Sequence, residues 1–166
     1  MADVILVDEN DNEIGMMEKL EAHRRELLHR AISVFVFHPD GKVLLQKRAQ
    51  GKYHSAGLWS NTCCSHPNPG EGAHDAARRR LKEEMGIECD LKEVGTFIYK
   101  TTFANGLIEN ELDHVFIGIS ETTPKFNPEE VDDWRWQNVA TLRKNIEKNP
   151  AMYASWLPTA LGILHA

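Results

Sequence analysis

The sequence is short of cysteine: of 166 residues, only Cys63, Cys64 and Cys89 carry a thiol. The number is odd, two of the three are neighbours and no CxxC spacing occurs. A secreted disulfide scaffold does not fit, and a cytoplasmic, reducing location is expected. Long apolar runs are missing too. The apolar stretch near the start, Val4–Val7, is closed in by Asp3 and Asp8, which suits neither a signal peptide nor a membrane span. Nor is positive charge in excess: 19 Lys and Arg against 25 Asp and Glu leave a net charge of −6, which argues against coating nucleic acid. Repeats, linkers, low-complexity segments and coiled-coil patterns are absent. What remains is one domain over residues 1–166, expected to be a monomer or weak dimer. A chain of this size buries about 68–70% of its unfolded surface and needs no disulfide or structural metal for a core.

The pattern along the chain alternates short strands with a few helices. Val4–Val7 reads as a first strand, ended by the turn-rich run 8–12. Residues 15–30 give only a partial helical pattern and read as a loop with some helix. Ile32–Phe37 is a buried strand, His38–Gly41 a tight turn, and Val43–Gln46 its hairpin partner. Ala73–Met85 is a helix with Gly86 placed to cap its end. Lys92–Thr102 and Glu109–Ile119 are strands around Asn105-Gly106, a hairpin-turn signature. Asp133–Gln137 is a further strand, Val139–Lys148 a helix stopped by Pro150, and Ser155–Leu164 a short closing helix. The fold class is α+β, a mixed sheet with helices packed on it.

The chemistry concentrates around residues 58–70. Side-chain direction repeats every second residue in an extended segment, so Cys64 and His66 share a side, a thiol beside an imidazole. Pro67, Pro69 and Gly70 then break the strand before the helix. Against this stands the packing role that buried cysteines usually have. Glu109 and Glu111 flank Asn110 in a strand and share a face. Paired carboxylates there repel unless a cation lies between them, or unless both face water. His23, His29 and His66 could bring imidazoles to the same ion, and mixed N and O ligands suit Mn²⁺, Zn²⁺ or Mg²⁺. Lys47, Arg48 and Lys52 form a basic edge that is either solvated or in need of an anion.

Residues 65–87 resemble the Nudix box, G-x5-E-x7-R-E-U-x-E-E-x-G-U. Glu71, Arg79, Leu81, Glu83, Glu84, Gly86 and Ile87 match it. Ser65 stands where the first Gly belongs, and Arg80 replaces the first Glu of the core. That exchange weakens a hydrolytic metal cluster and strengthens anion binding. Further runs, NTCCSHP at 61–67, LLHRAISVFVF at 27–37, RRRLKEEMGI at 78–87 and ENE at 109–111, are similar to type I isopentenyl-diphosphate isomerases over nearly the whole chain. Ala56 departs from the Pro that this family often has there, and the segment from His23 to His29 is short.

The resemblance implies a Nudix-like α/β/α sandwich and an allylic isomerisation of a five-carbon diphosphate through a tertiary carbocation. It implies Cys64 and Glu111 as the proton-transfer groups, Glu111 protonating with the aid of Tyr99 and a metal, and Cys64 deprotonating. By the same resemblance His23, His29, His66, Glu109 and Glu111 hold a protein-bound metal (Mn²⁺, Zn²⁺ or Mg²⁺), and Glu84 helps hold Mg²⁺ on the diphosphate. Lys19, Arg48, Lys52 and Arg80 contact the phosphates, and Trp156 faces the carbocation. No flavin or nucleotide is implied. Trp59, Trp134, Trp136, Cys63 and Cys89 are expected in the core. The rival readings are a Nudix-type hydrolase of a diphosphate and a non-catalytic binding module on the same fold.

Overall fold

The computed structural model describes residues 3–52, 55–103 and 105–164. Its organising element is β3 (His29–Phe37), whose residues from Ala31 to Val36 are all buried. A strand covered on both faces reads as a continuous apolar run rather than an alternation, and AISVFV is such a run. Before it come β1 (Asp3–Val7), β2 (Glu13–Glu18) and α1 (Lys19–Arg24). After it come β4 (Val43–Arg48), β5 (Trp59–Ser60), β6 (Cys63–Ser65) and α2 (Ala73–Met85). The chain continues with β7 (Lys92–Thr102), β8 (Ile108–Ile119), β9 (Val131–Gln137), α3 (Val139–Lys148) and α4 (Leu157–Ile163).

Among the described residues the strands form one nine-stranded mixed sheet. β3 runs parallel to β8 from His29↔Glu111 to Phe37↔Ile119, and antiparallel to β6 through Ser33↔Cys64. The expected hairpin between β3 and β4 holds for a single pair, Phe37↔Val43. Beyond it the strands part and β4 pairs with β9 instead, from Val43↔Gln137 to Arg48↔Val131. Side chains of the next segment fill the split. The Thr62 hydroxyl accepts from Val36 N–H at 2.9 Å and donates to Leu44 C=O at 2.7 Å, and the Asn61 amide donates to Val34 C=O at 3.0 Å. These bonds satisfy buried backbone groups that the parted ladder would leave bare. They also interrupt the extended 58–66 run between β5 and β6.

The N-terminal segment differs from its reading as a loop with some helix. Residues 13–18 pair with β1 (Asp3↔Glu18, Ile5↔Met16), and only 19–24 are helical, capped by the Glu18 carboxylate on Glu21 N–H at 2.9 Å. β2 lies at the outer end of its sheet path, with Ile14 and Met16 exposed, so no alternation marks it.

The two faces of β3 do different work. Even-numbered residues Ile32, Val34 and Val36 join Leu44, Cys63 and Phe116 under α2, which packs down Ala76, Ala77, Leu81 and Met85. Trp134 and Trp136 pack against this layer, and replacing Leu81 by Ala would cost about 2–5 kcal/mol. Gly86 takes φ 66° and returns its N–H to Lys82 C=O at 3.0 Å, ending α2 as its sequence requires. On the odd face Phe35, Val115, Val43 and Leu45 pack with Trp59, α3 and α4. Gly118 lets β8 pass close to Cys89 and Leu91, where an added Cβ would meet the Cys89 sulfur at 2.8 Å. The sheet is therefore sandwiched between helices, as expected. Along the odd face the core stops at Phe35; Ser33, Ala31 and His29 continue it toward a cavity.

Candidate active site

Strand register assembles the site. With Ser33, Ala31 and His29 on one face of β3, pairing places Asp113 and Glu111 of β8 on the same face, with Glu109 two residues further along. Cys64 joins from β6 opposite Ser33, and His66 follows just beyond that strand. Lys19 enters from α1, Arg48 and Lys52 from β4 and the turn after it, Arg80 from α2, and Trp156 from the start of α4. Cys64, Glu111, Trp156 and these four cations line one cavity.

His23, His29, His66 and Glu109 present ligand atoms that all lie within 4.8 Å of one another. Glu111 borders the group, its Oε2 2.8 Å from His66 Nε2 and 3.7 Å from His29 Nε2. The backbone fixes two of the rings. Nδ1 of His23 donates to Lys19 C=O at 2.6 Å and Nδ1 of His29 to Leu27 C=O at 3.0 Å, so both Nε2 lone pairs are turned inward. Nε2 of His29 is buried without a hydrogen-bond partner. Nε2 of His23 faces Glu109 Oε1 at 2.6 Å, a contact of two acceptors that needs a proton or a cation between them. An orphaned inward lone pair, carbonyl-locked tautomers and carboxylates at the rim fit a divalent metal. His23, for which the short His23–His29 segment left most room for error, belongs to the group with its ring fully buried.

The electrostatics follow from crowding. Burial, then the neighbouring Glu109 charge, pushes the Glu111 carboxyl well above the usual range. Burial, reinforced by His29, holds His66 well below its ordinary value, and burial lowers His29 as well. At His23 burial is outweighed by the Glu109 carboxylate and the imidazole is raised. Burial and then the Asp113 charge push the Cys64 thiol up to about 11, so it is a neutral S–H, donating to Asn61 Oδ1 at 3.0 Å.

Arg80, the departure from the Nudix box, lies at the centre of an acidic group. It binds Glu83 Oε1 and Glu84 Oε2, both at 3.0 Å, and approaches Glu130 Oε1 at 3.3 Å. Burial works against its charge, but Glu84 and Glu130 raise it nonetheless. Glu84 is buried beneath the cavity, its oxygens taken by Arg80, by Gln46 at 3.0 Å and by Cys63 at 3.4 Å. Trp156 stacks under the Arg48 guanidinium, 5.2 Å from ring centre to carbon. Tyr99 pairs with Glu111 across β7 and β8, but its hydroxyl is bonded to Ser155, and its ring meets Trp156 edge-on at 6.5 Å.

Four neighbours of these groups escaped the sequence reading. Asp113 extends the alternation of Glu109 and Glu111 by one step, and that step was the available signal. Ser33 donates to Asp113 Oδ2 at 2.6 Å and lies 3.6 Å from the Cys64 sulfur. Asn61 lies in the NTCCSHP run, but its bonds to Val34 and Trp156 depend on distant segments, and Glu130 carries no local signal because Lys52 and Arg80 come from distant parts of the chain.

The family model for the NUDIX domain matches residues 27–158. An isopentenyl-diphosphate Delta-isomerase 2 of Aromatoleum aromaticum is 55% identical over 95% of this chain and 84% of its own length. The chain belongs to the isopentenyl-diphosphate Delta-isomerase family. A second isopentenyl-diphosphate Delta-isomerase, from Pectobacterium atrosepticum, is 48% identical over 94% of this chain and 87% of its own. The crystal structure of DR0079 from Deinococcus radiodurans shares 21% identity with a TM-score of 0.80, covering 97% of this chain and 98% of that one, and so shares the fold. As a member of the isomerase family the chain departs from the Nudix box at Arg80, at the centre of the acidic group described above. Among the described residues no helix is long and apolar enough to cross a membrane.

Proposed function

We propose that the protein interconverts isopentenyl and dimethylallyl diphosphate by a 1,3-allylic proton shift, with Cys64 and Glu111 as the proton-transfer groups. The carrying observation is that a thiol, a carboxyl, an indole and the cations Lys19, Arg48, Lys52 and Arg80 line a single cavity. Its volume of about 210 Å³ is below the ~300–1,000 Å³ of pockets for drug-sized ligands, which favours a five-carbon substrate over a nucleotide.

Lys19, Arg48, Lys52 and Arg80 bind the diphosphate and leave the alkene among Cys64, Glu111 and Trp156. The Glu111 carboxyl gives its proton to the terminal alkene carbon, leaving a tertiary cation at the branch carbon. The indole face of Trp156 stabilises that charge, by about 2 kcal/mol or more once water is excluded. The C–H pair on the adjacent methylene then becomes the new double bond as its proton passes to the Cys64 sulfur. For this step the thiol first gives its proton to water; after turnover the sulfur holds the substrate's proton and the Glu111 carboxylate takes one back from water, so the site returns to its starting state. Run in reverse, the scheme starts from the thiol as it stands.

His23, His29, His66, Glu109 and Glu111 would hold a Mn²⁺, Zn²⁺ or Mg²⁺ ion, whose Lewis acidity sharpens the Glu111 carboxyl as an acid. Glu84 would assist Mg²⁺ on the diphosphate, where that ion neutralises phosphate charge; this requires exchange of at least one of its present partners. Tyr99 supports Glu111 from the neighbouring strand. Hydrolysis is disfavoured because Arg80 removes a carboxylate from the core that would hold hydrolytic metals. The test is an NMR assay with isopentenyl diphosphate in D₂O, with and without Mg²⁺, on the wild type and on Cys64→Ala and Glu111→Gln. Dimethylallyl product carrying deuterium is expected from the wild type only. Full turnover by either variant would defeat the scheme.

A further inference from the structure

We propose that Glu130 makes the cation cluster selective for metal-complexed diphosphate over the bare anion. The inference rests on the reading of that cluster as a diphosphate subsite, and it assigns a role to a carboxylate outside the proton-transfer and metal groups.

Glu130 reaches the cluster just before β9, where its backbone is held on both sides. Its C=O accepts from Ala49 N–H, and its N–H donates to Asn127 C=O, both at 3.0 Å. One carboxylate oxygen binds the Lys52 ammonium and the other lies 3.3 Å from Arg80. The same Arg80 nitrogen also meets Glu84 Oε2 at 3.0 Å. Lys52 and Arg80 therefore share a resident counter-charge, itself partly buried with 24% of its side chain exposed. The crowding is real: burial and then Lys52 lower the affinity of Lys19 for its proton.

A phosphate oxygen that reaches Lys52 or Arg80 must come close to the carboxylate already bonded to the same nitrogens. A bare diphosphate meets that carboxylate as a like charge in a partly desolvated cavity, where such terms are several-fold stronger than in water. A diphosphate carrying Mg²⁺ brings less negative charge to the same place, and the repulsion is much reduced. Glu130 thus penalises the bare anion far more than the complex, while keeping Lys52 and Arg80 apart and oriented in the empty site.

The experiment is calorimetric titration of inorganic pyrophosphate into the full chain, in EDTA and in excess Mg²⁺, for wild type, Glu130→Gln and Glu130→Ala. Glu129→Gln controls for net charge, since that neighbour is exposed and outside the cluster. In EDTA both Glu130 variants are expected to bind pyrophosphate about tenfold more tightly than the wild type, equivalent to about 1.4 kcal/mol. In Mg²⁺ their affinity should shift far less, and Glu129→Gln should behave as the wild type in both buffers. Thermal melts show which variants are folded, and either one suffices. Unchanged or weaker binding in EDTA by a folded Glu130 variant would overturn the proposal and leave the diphosphate subsite standing. A wild type that binds no pyrophosphate in either buffer would overturn the subsite and the proposal together.

Discussion

The indole N–H of Trp156 and the thiol of Cys64 end on one oxygen, Oδ1 of Asn61, at 3.2 and 3.0 Å. The Asn61 amide cannot turn over, because its nitrogen donates to Val34 C=O and Cys63 C=O, each at 3.0 Å. The Ser60 hydroxyl adds a third donor to the same oxygen at 2.9 Å. One buried carboxamide therefore sets the direction of the thiol and of the indole, although they lie far apart in the sequence.

Replacing Asn61 by Ala frees both groups without touching the cations. Steady-state kinetics should show kcat reduced about 10–100-fold with KM changed by only a small factor, as for an interaction realised mainly at the reacting centre. Urea unfolding should show a loss of about 1–3 kcal/mol, since buried donors lose their acceptor. A large rise in KM with kcat intact would place Asn61 in substrate binding instead.

Metal content offers a check independent of turnover. His29 Nε2 is aimed inward with no hydrogen-bond partner, and its tautomer is fixed by Leu27 C=O. Wild-type protein is expected to retain about one divalent ion at the His/Glu site after desalting, and the double variant His29→Ala/His66→Ala none, by elemental analysis. Chelation should lower the melting temperature of the wild type and barely move that of the variant. Equal metal retention by both would remove the His/Glu site.

Arg80 is one departure from a hydrolytic cavity, and reversing its charge tests whether it alone decides the chemistry. It binds Glu83 and Glu84 and approaches Glu130, so Arg80→Glu would set a fourth carboxylate among three. Isomerase activity should fall at least 100-fold, because a phosphate contact is lost and a repulsion added. Phosphate release from a panel of nucleoside diphosphates should stay at background. Efficient hydrolysis by the variant would show that one residue separates the two activities.

The parts legible in the sequence were those whose partners are periodic. Helix Ala73–Met85 and its Gly86 cap follow from local pattern, and the alternations Cys64/His66 and Glu109/Glu111 place side chains on one face before any sheet is drawn. The failures share a physical cause. β2 is stabilised by pairing with β1 rather than by burying a face, so Glu13–Glu18 shows no strand pattern. β3 and β4 look like a simple hairpin, yet Thr62 and Asn61 wedge them apart with side-chain bonds that no local rule anticipates. Asn61 itself was in view as part of a motif, but its role depends on Trp156, 95 residues away.

Asp113 makes a pH dependence that runs opposite to the usual carboxylate case. Burial lifts its carboxyl to about 7 despite the hydrogen bond from Ser33, and its Oδ1 is buried without a hydrogen-bond partner. Between the unfolded value of about 4 and about 7 the native protein holds this proton while the unfolded chain has lost it. Stability therefore falls as pH rises through that window, by at most about 1.4 kcal/mol per pH unit from this group, and levels off above it. Asp113→Asn has no proton to lose. Relative to the wild type it should gain stability from about pH 4 to about pH 7 and little beyond, in urea unfolding with EDTA present to keep metal binding out of the comparison. A difference between the two proteins that is flat with pH would mean that the carboxyl ionises normally, and that Ser33 and nearby water carry its charge.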